Sequence, residues 1–494
     1  MEALSSAFWK LWSDMPSPLP IKQTAPSRSG CTQPNSGKGH ETDIRNQEVL
    51  NKGALLLKDT IENQNNGFEN YETRIEESLF GYPEQQIESV SRNASIFFDL
   101  RWFRFLESLD LSQVMGGDVT FHYVVVTCRE NGQLAAICPF LICRNPNIYF
   151  LYSLDKYFFL NWAEEAARVD PERAGRYRIL VWLTRLYRAL IQVAGVRTDG
   201  WILAVSPLSH RGGIAIDPST SPEQSREMIH LVVERLKEQG RQETLPVCFF
   251  GIEERQTQLR SSLCENGFQE LFLVYDHAIP VSNLETMDEY LQRFRSSGRR
   301  LLRKEMNAPS DNGIRFESVH DLSLYRSEIA ECYERTYNRY GSEHFHHCET
   351  FWDKLGRYLY PNAEAVIAFE EDRVLGFSLL LGKKDLWFYR VGRCYDVIAK
   401  RAAIYFNLAF YEPLKRALVE PYGQIWLGAG ASETKGRRGG ISHALYSHVW
   451  FPRKRERLLL MPYLDNFSKI SRTTQANASC PSSYLHQDQI ASDS

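Results

Sequence analysis

The stretch AVIAFEEDRVLGFSLLLGKKDLWFYRVGR, residues 365–393, decides the fold of the second half of the chain. It holds three runs rich in β-branched and aromatic residues, at 365–370, 374–382 and 386–392. The charged turn at 371–373 separates the first two runs, which predicts a hairpin followed by a third strand. Helical patterns lie on both sides of this stretch. We therefore predict an α/β fold of the α+β type with a mixed sheet.

The first half of the chain repeats this order. A hairpin is predicted from residues 121–128 and 134–143, followed by a strand at 201–205. Ser221 and Pro222 predict the start of a helix that runs to about residue 239. Two α/β units of similar length are thus expected, an N-terminal domain at 91–281 and a C-terminal domain at 282–460.

Both ends of the chain differ in composition from this body. Residues 1–90 and 461–494 are rich in Ser, Asn, Gln and other polar residues. Such segments bury too little apolar surface to offset their conformational entropy. We predict a flexible polar extension at 1–90 and a flexible tail at 461–494, both disordered.

Overall composition excludes several classes of protein. The chain has 494 residues, a net charge of -3 and 43% hydrophobic residues, which is ordinary for a globular protein. No apolar run reaches the ~18 residues that a membrane-spanning helix needs. Ten cysteines are scattered without a CxxC pair, so a secreted disulfide framework is not expected. These observations predict a cytoplasmic protein without a transmembrane segment.

Five motifs follow one another along the chain: RSSGRRLLRKEM (295–306), ECYERTYNRYG (331–341), VLGFSLLLGKKDLWFYRVGR (374–393), YFNLAFYEPLKRAL (405–418) and LGAGASETKGRRGG (427–440). In order and spacing they resemble the motifs of the peptidoglycan biosynthesis/recognition family of GNAT-like proteins, which is related to the Fem-type aminoacyltransferases. The similarity covers most of residues 95–450, and fainter matches include SPLSHRGG at 206–213. The resemblance implies two tandem GNAT-like domains.

The resemblance also implies an enzyme, an N-acyltransferase that moves an acyl group to an amine of a peptide or small molecule. Its donor would be an acyl thioester, carried either by coenzyme A (acyl-CoA) or by an acyl carrier protein, and would act as a co-substrate. No permanently bound cofactor is expected. An aminoacyl-tRNA donor in the synthesis of peptidoglycan precursors is the alternative. A further alternative is a catalytically silent protein that binds a peptide or cell-wall fragment. The oligomeric state stays open.

The motif at 427–440 supplies the main candidate site residues. Glu433, Lys435 and Arg438 follow a predicted strand and a Gly-rich turn, where side chains can be presented to a cleft. We expect Glu433 and Lys435 to be catalytic and Arg438 to bind an anionic substrate group. Thr434 stands where the family pattern has His, and Asn407 stands where it has Glu. Asn407 is predicted to contact substrate.

Two further residues are candidates for proton transfer. Tyr389 lies on a predicted strand and could protonate a leaving thiolate. His347 belongs to the cluster SEHFHHC and could act as a general base. His344 and Cys348 in the same cluster have a spacing compatible with zinc, but no second ligand pair is visible. We assign no metal site.

A single basic helix is predicted over residues 287–307, which includes the motif at 295–306. Arg299, Arg300 and Arg303 would form a surface for the phosphates of a tRNA, an acyl carrier protein or a lipid-linked precursor. Only Phe294 interrupts the charged residues with an aromatic ring, so base stacking is not expected.

Overall fold

The structure is a computed structural model that describes residues 70–144, 200–340 and 349–478, with single positions between 182 and 196. From Tyr71 onward, the described residues form one compact unit. Its framework is a 13-stranded mixed sheet. The strands of the first half are β1 Tyr71–Glu76, β2 Val119–Cys128, β3 Leu134–Cys143, β4 Trp201–Ala204, β5 Ala215–Ile216, β6 Val247–Glu253 and β7 Gln269–Pro280. Those of the second half are β8 Ile314–Val319, β9 Ala363–Glu370, β10 Arg373–Gly382, β11 Leu386–Arg393, β12 Gln424–Ala429 and β13 Ile441–Trp450.

The order of strands across the sheet shows an internal repeat. The order is β1-β2-β3-β4-β6-β13-β7-β12-β11-β10-β9-β8, with β5 paired to β3. In the first half β2–β3 is an antiparallel hairpin and β4–β6 is a parallel pair. In the second half β9–β10 and β11–β12 repeat these two relationships. The two halves thus repeat one order of strand pairing, in agreement with the repeated α/β order that the sequence predicts.

The last strand of each half is exchanged with the other half. β13 pairs with β6 of the first half, and β7 pairs with β12 of the second. β7 and β13 also pair with each other, antiparallel, at the centre of the sheet. The sheet is therefore continuous across the predicted boundary near residue 281, where β7 ends. The division into two domains at that point stays a prediction.

Helices connect the strands and cover the sheet. In the first half they are α1 Glu84–Ser91, α2 Leu100–Glu107, α3 Leu111–Met115, α4 Pro222–Glu243 and α5 Thr257–Glu265. In the second half they are α6 Met287–Gln292, α7 Ser296–Asp311, α8 Arg326–Tyr340, α9 Glu349–Leu359, α10 Val397–Arg401, α11 Ile404–Phe406, α12 Glu412–Ala417, α13 Ser432–Gly436 and α14 Lys454–Ala478. A π-helical turn at Asn407–Tyr411 joins α11 to α12. None of the described helices is long and apolar enough to cross a membrane.

Helix α4 shows how sequence pattern becomes packing. The predicted start is confirmed, because Ser221 and Gln224 form a reciprocal capping box with Pro222 at the first helical position. Met228, Val232 and Leu236 recur every four residues and are fully buried against the sheet. Burial of each such side chain contributes roughly 1.5–3 kcal/mol to folding, so this face fixes the helix on the sheet.

Three boundaries differ from the sequence predictions. β1 and α1 belong to the folded body, so the extension predicted at 1–90 is too long, while residues 1–69 lie outside the described part of the chain. The tail predicted at 461–494 is helical as far as Ala478, because Tyr463 and Leu464 are buried. The basic helix predicted in one piece is two, α6 and α7, since the chain bends at residues 293–295.

Candidate functional site

A cleft of about 1040 Å³ opens beside the sheet and is lined by residues of both halves. The first half contributes Arg211, Glu253 and Arg255. The second half contributes Lys383 and Trp387. A concave space of this size suits a small-molecule or peptide ligand, and its polar lining suits a charged one.

The loop between β4 and β5 carries Arg211 to the floor of this cleft. Gly212 packs so closely that a Cβ atom there would lie 2.2 Å from the carbonyl oxygen of Phe250 and 2.6 Å from that of Ala204. Only glycine fits between the ends of β4 and β6. This close contact holds the backbone next to Arg211 and so fixes where its side chain begins.

The guanidinium of Arg211 is buried among aromatic and acidic groups. It forms an ion pair with Asp276 of β7, and its Nε lies 3.6 Å from Oε1 of Glu253. It also lies over the rings of Trp387, at 4.9 Å, and Trp426, at 4.4 Å. Those two rings stack on each other at 5.1 Å. Charge pairing and cation–π contact together stabilise the buried cation.

Two nitrogen atoms of this guanidinium lack hydrogen-bond partners among the described residues. Within the described part of the chain, Nε and Nη1 of Arg211 have no hydrogen-bond partner, although the side chain is only 3% exposed. Buried donors without partners are rare and costly, and here they belong to a residue that lines the cleft. They are suited to bind a carbonyl oxygen or an anionic group of a ligand.

Glu253 provides the carboxylate of the site. It ends β6, is buried, and lines the cleft next to Arg211. Its Oε2 lies 2.6 Å from Nε of Arg255, whose side chain is largely exposed. A carboxylate at the edge of a cleft can hold an ammonium group or accept its proton.

Lys435 is buried behind this site and does not line the cleft. Its Nζ donates hydrogen bonds to the carbonyl oxygens of Gly428, at 2.6 Å, and Ala429, at 2.9 Å. Burial lowers the pKa of Lys435 to about 8, and the charge of Asp276 partly opposes that shift. Lys435 thus holds the end of β12 and communicates electrostatically with the partner of Arg211.

Glu433 projects away from the cleft. Its side chain is 70% exposed and pairs with Arg437 one helical turn later. The short helix α13 turns the residue outward, because the chain leaves β12 in a left-handed conformation at Ala431, with φ of 49°. A catalytic role for Glu433 therefore stays a prediction that rests on the motif alone.

Arg438 and Asn407 meet at Glu305 of α7. Arg438 donates from Nη2 to Oε1 of Glu305 at 2.6 Å, from Nε to Oε2 at 3.1 Å, and from Nη1 to the carbonyl oxygen of Thr434 at 2.9 Å. Asn407 donates to the backbone oxygen of Glu305 at 2.9 Å, and Tyr411 donates to its carboxylate. This buried network ties α7 and the π-helical turn to the segment after β12, away from the cleft lining.

Tyr389 is a buried donor near the site. Its hydroxyl donates to the carbonyl oxygen of Leu208 at 3.1 Å, and Arg390 donates to the same oxygen at 3.3 Å. Burial raises the pKa of Tyr389 to about 12. The tyrosine thus anchors the loop that carries Arg211, and its predicted role as a proton donor stays a prediction.

The remaining predicted residues lie apart. Arg299 donates to the carbonyl oxygen of Phe294 at 2.7 Å, while Arg300 and Arg303 are exposed on α7. Arg303 lies 3.7 Å from Asp288. His347 falls in residues 341–348, outside the described part of the chain.

Sequence reasoning missed the central residues of the cleft. Arg211 lies in SPLSHRGG, which gave only a faint family match, and its two following glycines were the available signal. Glu253 and Asp276 are charged residues within apolar strands, VCFFGIE and QELFLVYDHAIP. A charge inside a buried strand indicates a partner or a ligand. The sequence does not show which loop supplies that partner.

Comparison with known proteins identifies the family. A sequence model of the FemAB-like family, described as peptidoglycan biosynthesis/recognition, matches residues 201–484. A search of curated proteins finds no significant match. Solved structures of similar fold include "Crystal structure of FemX", at 10% identity over 77% of this chain and 98% of that chain, with a TM-score of 0.47.

Two other solved structures show the same range of similarity. A tandem GNAT protein from the clavulanic acid biosynthesis pathway is 8% identical over 78% of this chain and 99% of that chain, with a TM-score of 0.37. The C-terminal domain of a putative lysylphosphatidylglycerol synthetase from Agrobacterium fabrum is 12% identical over 53% of this chain and 81% of that chain, with a TM-score of 0.38. Since the family match spans more than half of the chain, this protein belongs to the FemAB-like family of peptidoglycan biosynthesis/recognition.

Proposed function

We propose that the chain is an N-acyltransferase that moves an acyl group from an acyl thioester, acyl-CoA or an acyl carrier protein, to an amine of a peptide or small molecule. The observation that carries the proposal is the buried guanidinium of Arg211, with two unpartnered donors beside the carboxylate of Glu253 in a large cleft. Direct acyl transfer needs both kinds of group close together.

The reaction assigns each group a role. The acceptor nitrogen attacks the carbonyl carbon, a C–N bond forms, and the C–S bond to the donor breaks. Arg211 donates hydrogen bonds to the carbonyl oxygen as negative charge develops on it. The acceptor ammonium first loses one proton to solvent, which leaves a neutral amine that can attack. As the C–N bond forms, Glu253 accepts a second proton from the nitrogen and passes it to the departing thiolate. Trp387 and Trp426 hold the guanidinium plane in place.

An aminoacyl-tRNA donor is the second candidate. The exposed arginines of α7 supply phosphate contacts that a tRNA would use, and the FemAB-like family favours this donor. With this donor the bond that breaks is the C–O ester, and the same two groups act. The acceptor would then be the peptide of a cell-wall precursor.

We also propose a cytoplasmic location, because the seven described cysteines are free thiols.

A donor panel tests these proposals. The full chain is incubated with acyl-CoA species, acylated carrier protein or aminoacyl-tRNA, each with amine-bearing peptides, and products are read by mass spectrometry. A product whose formation needs Arg211 and Glu253 supports the proposal and identifies the donor. Peptide binding without product from any donor would overturn it in favour of a silent binding protein.

A further inference from the structure

A cluster of metal-ligand residues lies outside the cleft lining, where α5 meets the central strand pair. Among the residues that the structure describes, Cys264, Glu270 and His448 bring one ligand atom each to within 4.8 Å of one another. They come from α5, β7 and β13, so three separate elements converge on one point.

The register of the sheet positions two of these residues. Glu270 and His448 face each other across the β7–β13 ladder, and Oε2 of Glu270 lies 3.1 Å from Nε2 of His448. His448 is fully buried, whereas Cys264 is exposed. The arrangement therefore has a rigid wall on the sheet and an open side toward solvent.

Arg260 fixes the orientation of the carboxylate. It donates from Nε to Oε2 of Glu270 at 2.8 Å and from Nη2 to Oε1 at 3.0 Å. Its guanidinium also lies 3.9 Å from the ring centroid of Tyr446, which keeps it in place. Carboxylates that bind metal ions are commonly held by such second hydrogen bonds.

We propose that Cys264, Glu270 and His448 form a binding site for a zinc-class divalent ion. Sulfur, oxygen and nitrogen ligands together are typical of Zn²⁺, and three protein ligands leave a fourth position for water. Zn²⁺ replaces the His448–Glu270 hydrogen bond with two metal bonds. The exposed side chain of Cys264 closes the site by moving toward the sheet. The bound ion would pin α5 to β7 and β13.

Metal titration tests this proposal on the full chain. Chelator-stripped protein is titrated with Zn²⁺ against a chromophoric competitor, and with Co²⁺ to record the thiolate charge-transfer band. One equivalent is expected, with release of a proton. Cys264→Ser should abolish the charge-transfer band and weaken Zn²⁺ binding at least about tenfold. Cys128→Ser, at the half-buried thiol that ends β2, is the matched control and should bind as the unchanged protein does.

A second variant separates the loss of a metal ligand from a change in the fold. His448→Gln removes the nitrogen ligand, and its melting curve without metal shows whether the fold survives. If it folds, loss of the Zn²⁺ equivalent supports the site. The proposal is overturned if the protein binds no Zn²⁺, or if Cys264→Ser keeps full affinity, since binding would then be adventitious.

Discussion

Arg211 and Arg438 both carry buried guanidinium groups, yet the surroundings of these two groups differ. Arg438 directs Nε and Nη2 at Glu305 and Nη1 at a backbone oxygen, so each of these nitrogens has a partner. Arg211 pairs with Asp276 and lies near Glu253, but its Nε and Nη1 have no hydrogen-bond partner among the described residues. Of these two arginines, Arg211 lines the cleft and Arg438 does not. Burial of a charge therefore does not indicate a site by itself, whereas unsatisfied donors next to a cavity do.

The loop that carries Arg211 and the segment after β12 also differ in the contacts that hold them. The loop that carries Arg211 is held by Gly212, Tyr389 and Arg390, and Arg211 lines the cleft. The segment after β12 uses its own cations, Lys435 and Arg438, to hold itself together. Residues outside the side chain of Arg211 hold the loop that carries it. The charge of Arg211 is therefore not needed to hold the loop and can act on a ligand.

The largest effect is expected from Arg211→Lys. Lysine keeps a positive charge near Asp276 but loses the planar fork and the contact with Trp387 and Trp426. Loss of a positioned donor to the carbonyl oxygen should reduce turnover by about 10²–10³. Initial rates with the donor found in the panel measure it.

Arg438→Lys is the matched control for that variant. It makes the same chemical change at a buried arginine that does not line the cleft, so turnover should change by less than about threefold while stability falls. Equal losses of turnover in both variants would show that the difference between the two arginines has no functional meaning.

Arg438→Ala should act on stability. It leaves the largely buried carboxylate of Glu305 without its cation, which typically costs about 3–5 kcal/mol in the free energy of unfolding. Glu305→Ala should cost a similar amount, and the double variant less than the sum of both. Urea unfolding measures all three. A weaker affinity for an anionic donor with unchanged stability would instead confirm the substrate-binding role predicted from the motif.

Much of the fold could be predicted from the sequence because its signals are local. The hairpins, the capped start of α4 and the repeat of α/β order depend on residues close together in the chain. The exchange of β7 and β13 could not be predicted, since it depends on pairing between strands about 170 residues apart, about which local pattern carries no information. The helical part of the C-terminal tail was missed because its few buried residues lie among polar ones.

The candidate site was harder to predict for a related reason. The family motif predicts site roles for Glu433, Lys435 and Arg438, which lie on one short segment. The cleft instead combines Arg211, Glu253 and Trp387 from three distant segments. Residue type and spacing cannot distinguish a lysine that donates to backbone carbonyls from one that faces a ligand.

Lys435→Met should change how stability depends on pH. The pKa of Lys435 is about 8 in the folded protein and about 10.5 when unfolded. Between these values the unfolded chain binds more protons, so the stability of the unchanged protein should rise with pH relative to the variant. The gain is at most about 3 kcal/mol, and below pH 8 the cost of the buried charge is fully present. Urea unfolding of both proteins at pH 7, 8, 9 and 10 measures it, and a difference that stays constant would show that Lys435 is solvated.

Glu433→Gln should have the smallest effect. The side chain is largely exposed, and its pair with Arg437 is a surface contact within one helical turn. Such pairs contribute about 0.3–0.5 kcal/mol, so the melting temperature should hardly move. Turnover should stay within about twofold, because Glu433 does not line the cleft. The motif predicts the opposite, a loss of about 10²–10⁴ in rate for removal of a catalytic acid or base. Initial rates of this variant, measured beside those of Glu253→Gln, decide between them. A large loss at residue 433 with full activity at residue 253 would move the active site from the Arg211 cleft to the segment after β12.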